Sequence, residues 1–293
     1  MSLKSHLSIQ FVLNLVLAFV AHADVIKISK PKTGTDQRYD YPTQLLKLAL
    51  EASIDEYGPY DIIESDWFGP RDRMLQELLD GGKINVHNAP TRREWEERAL
   101  PVYFPILKGI LGYRILLIHQ DNITKFEQIY TLNDLQRLSA GLGEQWSITK
   151  ALREVGGFKI VTGTNYEGLF GMLMAKRFDY FIRGVSEIFP EYQQRSNVHP
   201  KMVIEQSLVI EMPLPVYFFV SPKHPEIADR ILYGLEKMKA DGSFEEEFMK
   251  ANGDPIKQAQ FAKRRHIKIE NPTLPLHPIY DEPSYWLDLN KQH

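Results

Sequence analysis

Leu132-Asn133-Asp134-Leu135, Gly141-Leu142-Gly143, Asn165-Tyr166-Glu167-Gly168-Leu169 and Lys176-Arg177-Phe178-Asp179-Tyr180-Phe181-Ile182 follow one another through the middle of the chain. Thr131 stands before the first piece and Asp134 three residues on, where a capping box usually has Glu. Leu138 to Gly143 reads as a short strand ending in glycines. Ser147 is placed to cap a helix carrying Ile148, Leu152 and Val155 on one face, closed by Gly156-Gly157. Phe158 to Val161 reads as a strand, Asn165 caps a helix through Met174, and Phe178 to Ile182 is a strand again. Helices and short strands in strict alternation predict an α/β unit with a parallel sheet.

The same alternation extends outward on both sides. Upstream, Val25 to Ser29, Tyr60 to Glu64 and Ile84 to His87 read as strands. Pro42 and Pro70 open the helices between them, and Gly81-Gly82 stops the second. The long apolar run Gly112 to His119 and a second one, Pro215 to Val220, bracket the middle unit. Two helices follow: one from Pro225 with Ile227, Ile231 and Leu235 in register, and one opening with Ser243-Phe244-Glu245-Glu246 as a capping box. The last thirty residues differ. Pro272, Pro275, Pro278 and Pro283 prevent regular helix, while Tyr280, Tyr285 and Trp286 predict that the tail packs on the body.

The 293 residues suffice for two lobes, and 43% apolar with 25% charged residues is an ordinary globular balance. A net charge of −3 argues against a nucleic-acid partner, and the absence of cysteine removes disulfides, thiolate metal sites and cysteine nucleophiles. The nine histidines show no i,i+4 pair, so neither a metal nor a cofactor is expected. Residues 1–23 read as a secretory signal peptide: Lys4, an apolar stretch from Ile9 to Val20, and Ala21-His22-Ala23 as cleavage site. That stretch is too short to span a bilayer core needing about 20 residues. Export to a bacterial periplasm, with cleavage after Ala23, is the expectation.

In this order and spacing the four opening pieces resemble the bacterial family 3 extracellular solute-binding proteins, the periplasmic receptors of polar amino-acid ABC transporters. Lys239-Ala240-Asp241-Gly242-Ser243 is similar to the turn between that family's final helices. The resemblance covers roughly 24–252. It implies an α/β, two-lobed, type II periplasmic-binding-protein fold whose lobes are joined by two crossing strands, near Arg114–His119 and Pro215–Ser221. Lobe one would comprise 24–118 plus 214–293, and lobe two 119–213. A monomer is expected, with a small-molecule solute in the cleft and a permease or membrane sensor as partner. Independent of the resemblance, open α/β sheets bind ligands beyond the carboxyl ends of their strands.

The resemblance also places site residues. An arginine after the third strand holds the ligand carboxylate in such receptors. Here Thr91-Arg92-Arg93-Glu94 occupies that segment with Glu94 at the arginine position, leaving Arg92 or Arg93 as substitutes. Trp146 and Ser147 fall at the lobe-two helix N-terminus, where free N–H groups attract anions. Tyr39 and Trp67 follow strands one and two as candidate stacking rings or core. An aspartate that pairs with an α-ammonium is expected after the Asp179 strand, yet Arg183 stands there with Glu187 four residues on. Arg183, Arg92 and Arg93 together favour an acidic solute over a basic amino acid, and the alternative is an internal Arg183–Glu187 pair. Two further functions compete with the receptor: a periplasmic dehydratase on the same fold, with Arg183 and Glu187 as anion clamp and general acid, and a module whose cleft binds nothing. Ser147-Ile148-Thr149-Lys150 and Lys32-Thr33-Gly34 match penicillin-recognition motifs, but in reversed order and without the intervening S-x-N, so they are coincidental.

Overall fold

The computed structural model describes residues 23–30, 40–67, 69–163 and 165–289. Nearly all of the expected signal peptide, and Tyr39, lie outside those residues. From Asp24 the chain alternates as its apolar spacing demands: β1 (Asp24–Ser29), α1 (Asp40–Ala52), α2 (Ile54–Tyr57), β2 (Tyr60–Ser65), α3 (Arg71–Asp80), β3 (Val86–Pro90), α4 (Arg93–Arg98) and β4 (Leu100–Val102). Pro70 precedes α3 and Gly81 ends it in the left-handed conformation (φ 66°), as the sequence predicts. β1 and β2 run parallel. Asn85 sews β1 to the next strand: its N–H donates to Lys27 O at 2.9 Å and its Nδ2 to Val25 O at 2.7 Å.

The middle unit follows as β5 (Tyr113–His119), α5 (Ile123–Glu127), α6 (Leu132–Gln136), β6 (Ser139–Gly143), α7 (Ser147–Val155), β7 (Lys159–Gly163) and α8 (Tyr166–Met174). It continues through β8 (Tyr180–Gly184), α9 (Val185–Arg195), β9 (Met202–Ile204) and β10 (Leu208–Glu211). Thr131 and Asp134 form the expected capping box, and Asn165 caps α8 by accepting from Glu167 N–H. Ser147 does not cap α7. Trp146 holds the N-cap position, and Ser147 Oγ is buried without a hydrogen-bond partner. The sheet order is β12-β10-β5-β8-β6-β7, where β12 is Arg265–Lys268 from the tail, and β9 pairs with β5.

The chain then returns as β11 (Val216–Val220), α10 (Pro225–Asp241) and α11 (Ser243–Ala259). β11 lies between β3 and β4, antiparallel to both. The capping box expected at Ser243 is absent: Gly242, at φ 88°, is the N-cap, and Asp241 Oδ1 takes the Ser243 N–H instead. α1 and α10 pack so closely that a Cβ on Gly234 would stand 1.9 Å from Ala49 O. The result is two α/β lobes, one core gathered around Leu45, Phe218 and Ile231, the other around Leu116, Leu142 and Ile182. The two stretches expected as crossings, Arg114–His119 and Pro215–Ser221, fall largely in β5, which lies within the second sheet, and in β11, which lies between β3 and β4. The passages between sheets run through residues 103–112 and 212–215.

Candidate functional site

A cleft of about 1220 Å³ opens between the lobes. Its lobe-one wall carries Arg71 from the start of α3 and Asn88 and Pro90 from the end of β3; Tyr41 closes one side. Its lobe-two wall carries Tyr166 from the start of α8 and Glu187 and Glu191 from α9, with Leu107 and Leu111 of the first passage beneath. The carboxyl ends of the strands therefore face this space from both lobes, as the architecture requires. Glycine at 143 is a steric requirement here, because a Cβ would fall 2.3 Å from the Trp146 indole.

Arg183 lies behind the lobe-two wall, outside the cleft lining. It is 1% exposed and binds Glu191 through two bonds, Nε to Oε2 at 2.6 Å and Nη2 to Oε1. Glu187 adds a second carboxylate at 3.3 Å. The guanidinium also sits in an aromatic box, 4.7 Å from the Trp146 ring, 5.2 Å from Phe181 and 5.5 Å from Tyr166. Such cation–π contacts contribute about 2 kcal/mol when desolvated. Burial alone would pull the Arg183 pKa down; the Glu187 and Glu191 charges override that and raise it. Tyr166 donates its hydroxyl to Glu191 at 2.6 Å.

The network continues outward. Glu187 accepts from Gly184 N–H at 2.7 Å and from Arg114 at 3.3 Å. Burial brings the Arg114 pKa down to about 10 despite that carboxylate. Arg195 pairs with Glu167 at 2.6 Å and donates to Glu191 O at 3.4 Å. Arg114, Arg183 and Arg195 thus face Glu167, Glu187 and Glu191, and the six charges cancel. The internal pairing of Arg183 held as the alternative is what the fold builds, with Glu191 as the principal partner.

The other expected residues are dispersed. Thr91 is fully buried and its hydroxyl bonds Glu96. Arg92 is 4% exposed and pairs with Glu94 at 2.7 Å and Asp72 at 2.9 Å. Partial burial works to raise the Asp72 carboxyl; the bonds from Arg92 and Lys150 outweigh it and hold it below the usual carboxylate range. Lys150, on α7, reaches that same Asp72 oxygen at 3.2 Å and so links the two lobes. Arg93 is exposed, with its backbone N–H bound to Thr273 O. Trp67 packs on the Met74–Leu75 cluster with Lys83 over its ring at 5.5 Å. Trp146 borders the Arg183 box. Of the expected site residues that are described, Glu187 lines the cleft, while Trp67, Thr91, Arg92, Arg93, Trp146, Ser147 and Arg183 do not.

Arg71, Tyr41, Tyr166 and Glu191 line the cleft and were not singled out from sequence. Arg71 and Glu191 carried no visible signal, since each lies in a helix rich in charges. Tyr166 had one: it follows the Asn165 cap, and so stands at a helix start beyond a strand end.

No protein-family model and no curated protein matches this chain. Solved structures do. A histidine kinase sensor domain with similarity to periplasmic binding proteins is 18% identical over 79% of this chain and 96% of its own, with a TM-score of 0.56. An ancestral arginine-binding protein bound to arginine is 17% identical over 78% and 97%, with a TM-score of 0.53. An ancestral amino acid-binding protein, a precursor of cyclohexadienyl dehydratase, is 16% identical over 78% and 95%, at 0.52. These likenesses define the class: the chain has the two-lobed type II periplasmic-binding-protein fold found in amino-acid-binding receptors.

Proposed function

We propose that this protein is a solute receptor that captures a small polar molecule in its interlobe cleft, for delivery to a permease or for reporting to a membrane sensor. The observation that carries the reading is the interlobe cleft, walled by Arg71, Asn88, Tyr41 and Tyr166, in a fold whose neighbours are amino-acid-binding proteins. Export through a cleaved signal peptide fits that role. Among the described residues no helix is long and apolar enough to cross a membrane.

An oxyanion-bearing solute is the reading favoured by the placement of the arginines. Arg183 fills an aromatic, carboxylate-lined box with its own guanidinium, so lobe two offers that box to no ligand cation. A basic amino acid loses its natural counter-charge there. Arg71 stands on the opposite wall, and the solute's carboxylate or comparable oxyanion is assigned to it, since a planar guanidinium matches two oxygens at once. Of the cleft-lining acids, Glu187 and Glu191 are held by arginines, which argues against either as a general acid. The test is a thermal-shift panel of amino acids, dicarboxylates and phosphorylated metabolites, since a native-state ligand raises the melting point by mass action. Stabilisation by an oxyanion-bearing member, lost in Arg71→Ala, is expected. Stabilisation by lysine or arginine alone refutes the charge assignment, and no stabilisation by any member or by cell extract refutes the receptor.

A further inference from the structure

The chain does not stop crossing after two passages. α11 begins in lobe one, where Phe244 joins the Leu45–Ile231 core, and ends in lobe two, where Ile256 and Ala259 pack with Ile115, Phe181 and Val209. The tail is then fastened to lobe two. Arg264, 6% exposed, donates to Ala259 O and Glu205 O at 2.6 Å each, and β12 pairs parallel with β10 along its whole length. Ile267 and Ile269 are buried in the lobe-two core.

From there the tail leaves lobe two alongside the second passage. Asn271 Nδ2 donates to Pro213 O at 2.8 Å, and Thr273 O accepts from Arg93 N–H of α4 at 3.0 Å. Beyond it the tail is anchored on lobe one and on the first passage, and Leu287 and Leu289 return to the cluster of Phe181 and Ile256. His277 stacks on Tyr103 with centroids 3.6 Å apart and planes within 13°. Ile279 is buried with Leu75, Trp95 and Tyr217. Tyr285 donates to Glu236 at 2.5 Å, and Leu287 N–H to Lys108 O at 3.0 Å. Trp286 lies against Gly109, whose φ of 79° and missing Cβ make room for the ring. The matched structures are covered almost completely while about a fifth of this chain stays outside the match, so the chain carries length that they lack.

We propose that residues 264–289 are a strap that fixes the angle between the lobes. Rotation about two passages leaves the lobes free to swing; α11 and the strap add a third and a fourth connection, each buried at both ends. Opening must then detach the Ile279, Tyr285 and Trp286 anchor or stretch residues 270–274. The ligand-free protein therefore samples a narrow range of openings, and its site is organised before solute arrives.

The experiment needs no ligand, so its outcome is independent of the receptor reading. The absence of native cysteine allows a single spin-label pair, at Asp61→Cys in lobe one and Arg137→Cys in lobe two, both exposed. A protease site is inserted between Pro275 and Leu276. Before cleavage the label distances should form one narrow distribution. After complete cleavage the distribution should broaden toward longer distances while melting remains cooperative. An unchanged distribution overturns the strap. If cleavage abolishes cooperative melting, Ile279→Ala/Trp286→Ala in the uncut chain gives the decision by the same criterion: broadening supports the strap, and the native distribution overturns it.

Discussion

Removing Glu191 strips a buried guanidinium of its bidentate partner. Arg183 is 1% exposed, and in Glu191→Ala it keeps only the Glu187 carboxylate at 3.3 Å and the aromatic faces. Breaking one side of a buried pair costs about 3–5 kcal/mol, because a desolvated charge is left under-compensated. For a chain of this size that lowers the melting temperature by roughly 6–20 °C, at about 2–4 °C per kcal/mol. Arg183→Met should cost a similar amount, since it leaves Glu187 and Glu191 facing each other. The double variant Arg183→Met/Glu191→Leu should lose far less than the sum, because an apolar pair of similar volume removes both desolvation costs together. Urea denaturation of the unsubstituted protein, Arg183→Met, Glu191→Leu and the double variant closes the cycle and gives the coupling energy. Singles costing under about 1 kcal/mol, or a strictly additive double, would refute the assignment of Arg183 to the framework of the wall rather than to the ligand.

Three further outcomes are expected. His87 is buried beside Trp95, and burial, with Arg71 nearby adding to it, lowers its pKa to about 3. The unfolded chain takes up that proton first, so stability should fall as pH drops below about 6.5, and go on falling toward pH 3. His87→Gln should flatten that part of the stability–pH curve, and an unaltered slope would exclude the histidine as its source. Gly234→Ala places a Cβ 1.9 Å from Ala49 O and should cost at least the 1–3 kcal/mol typical of overpacking, read by chemical denaturation. Lys150→Ala removes an interlobe ion pair whose partners are 35% and 51% exposed, and should change stability by less than about 1 kcal/mol; a larger loss would mark that contact as a true closure element.

The fold was legible where local chemistry decides it. The Thr131–Asp134 box, the Asn165 cap and the Gly81 and Gly156 stops all act within one turn of the residues that reveal them. Caps that depend on the preceding turn were misplaced: at Ser147 and Ser243 the serine opens the helix one residue after the true N-cap. Strands β9, β10 and β12 are three or four residues long and exist only through partners far along the chain, so no period announces them. α9 carries Pro190 in its interior, which argues locally against a helix. The site was half legible. Sequence brought Arg183 and Glu187 together, but not Glu191, whose two bonds decide whether that arginine faces solute or framework.

The place of β11 between β3 and β4 also dictates an order of events in time. β3 and β4 are complete once residue 102 has been made, yet each hydrogen-bonds to β11, which starts at Val216. At roughly 5–20 residues per second the central strand arrives on the order of ten seconds later. During that interval Val86, Ala89 and Val102 have no strand to pair with, while the second sheet can join β5, β6, β7, β8 and β10 from one contiguous stretch. Lobe two is thus able to begin forming from nascent chain, with only the end of α11 and the edge strand β12 to be added later. Lobe one is a late structure, whose half-made sheet must be kept from other edges until its middle appears.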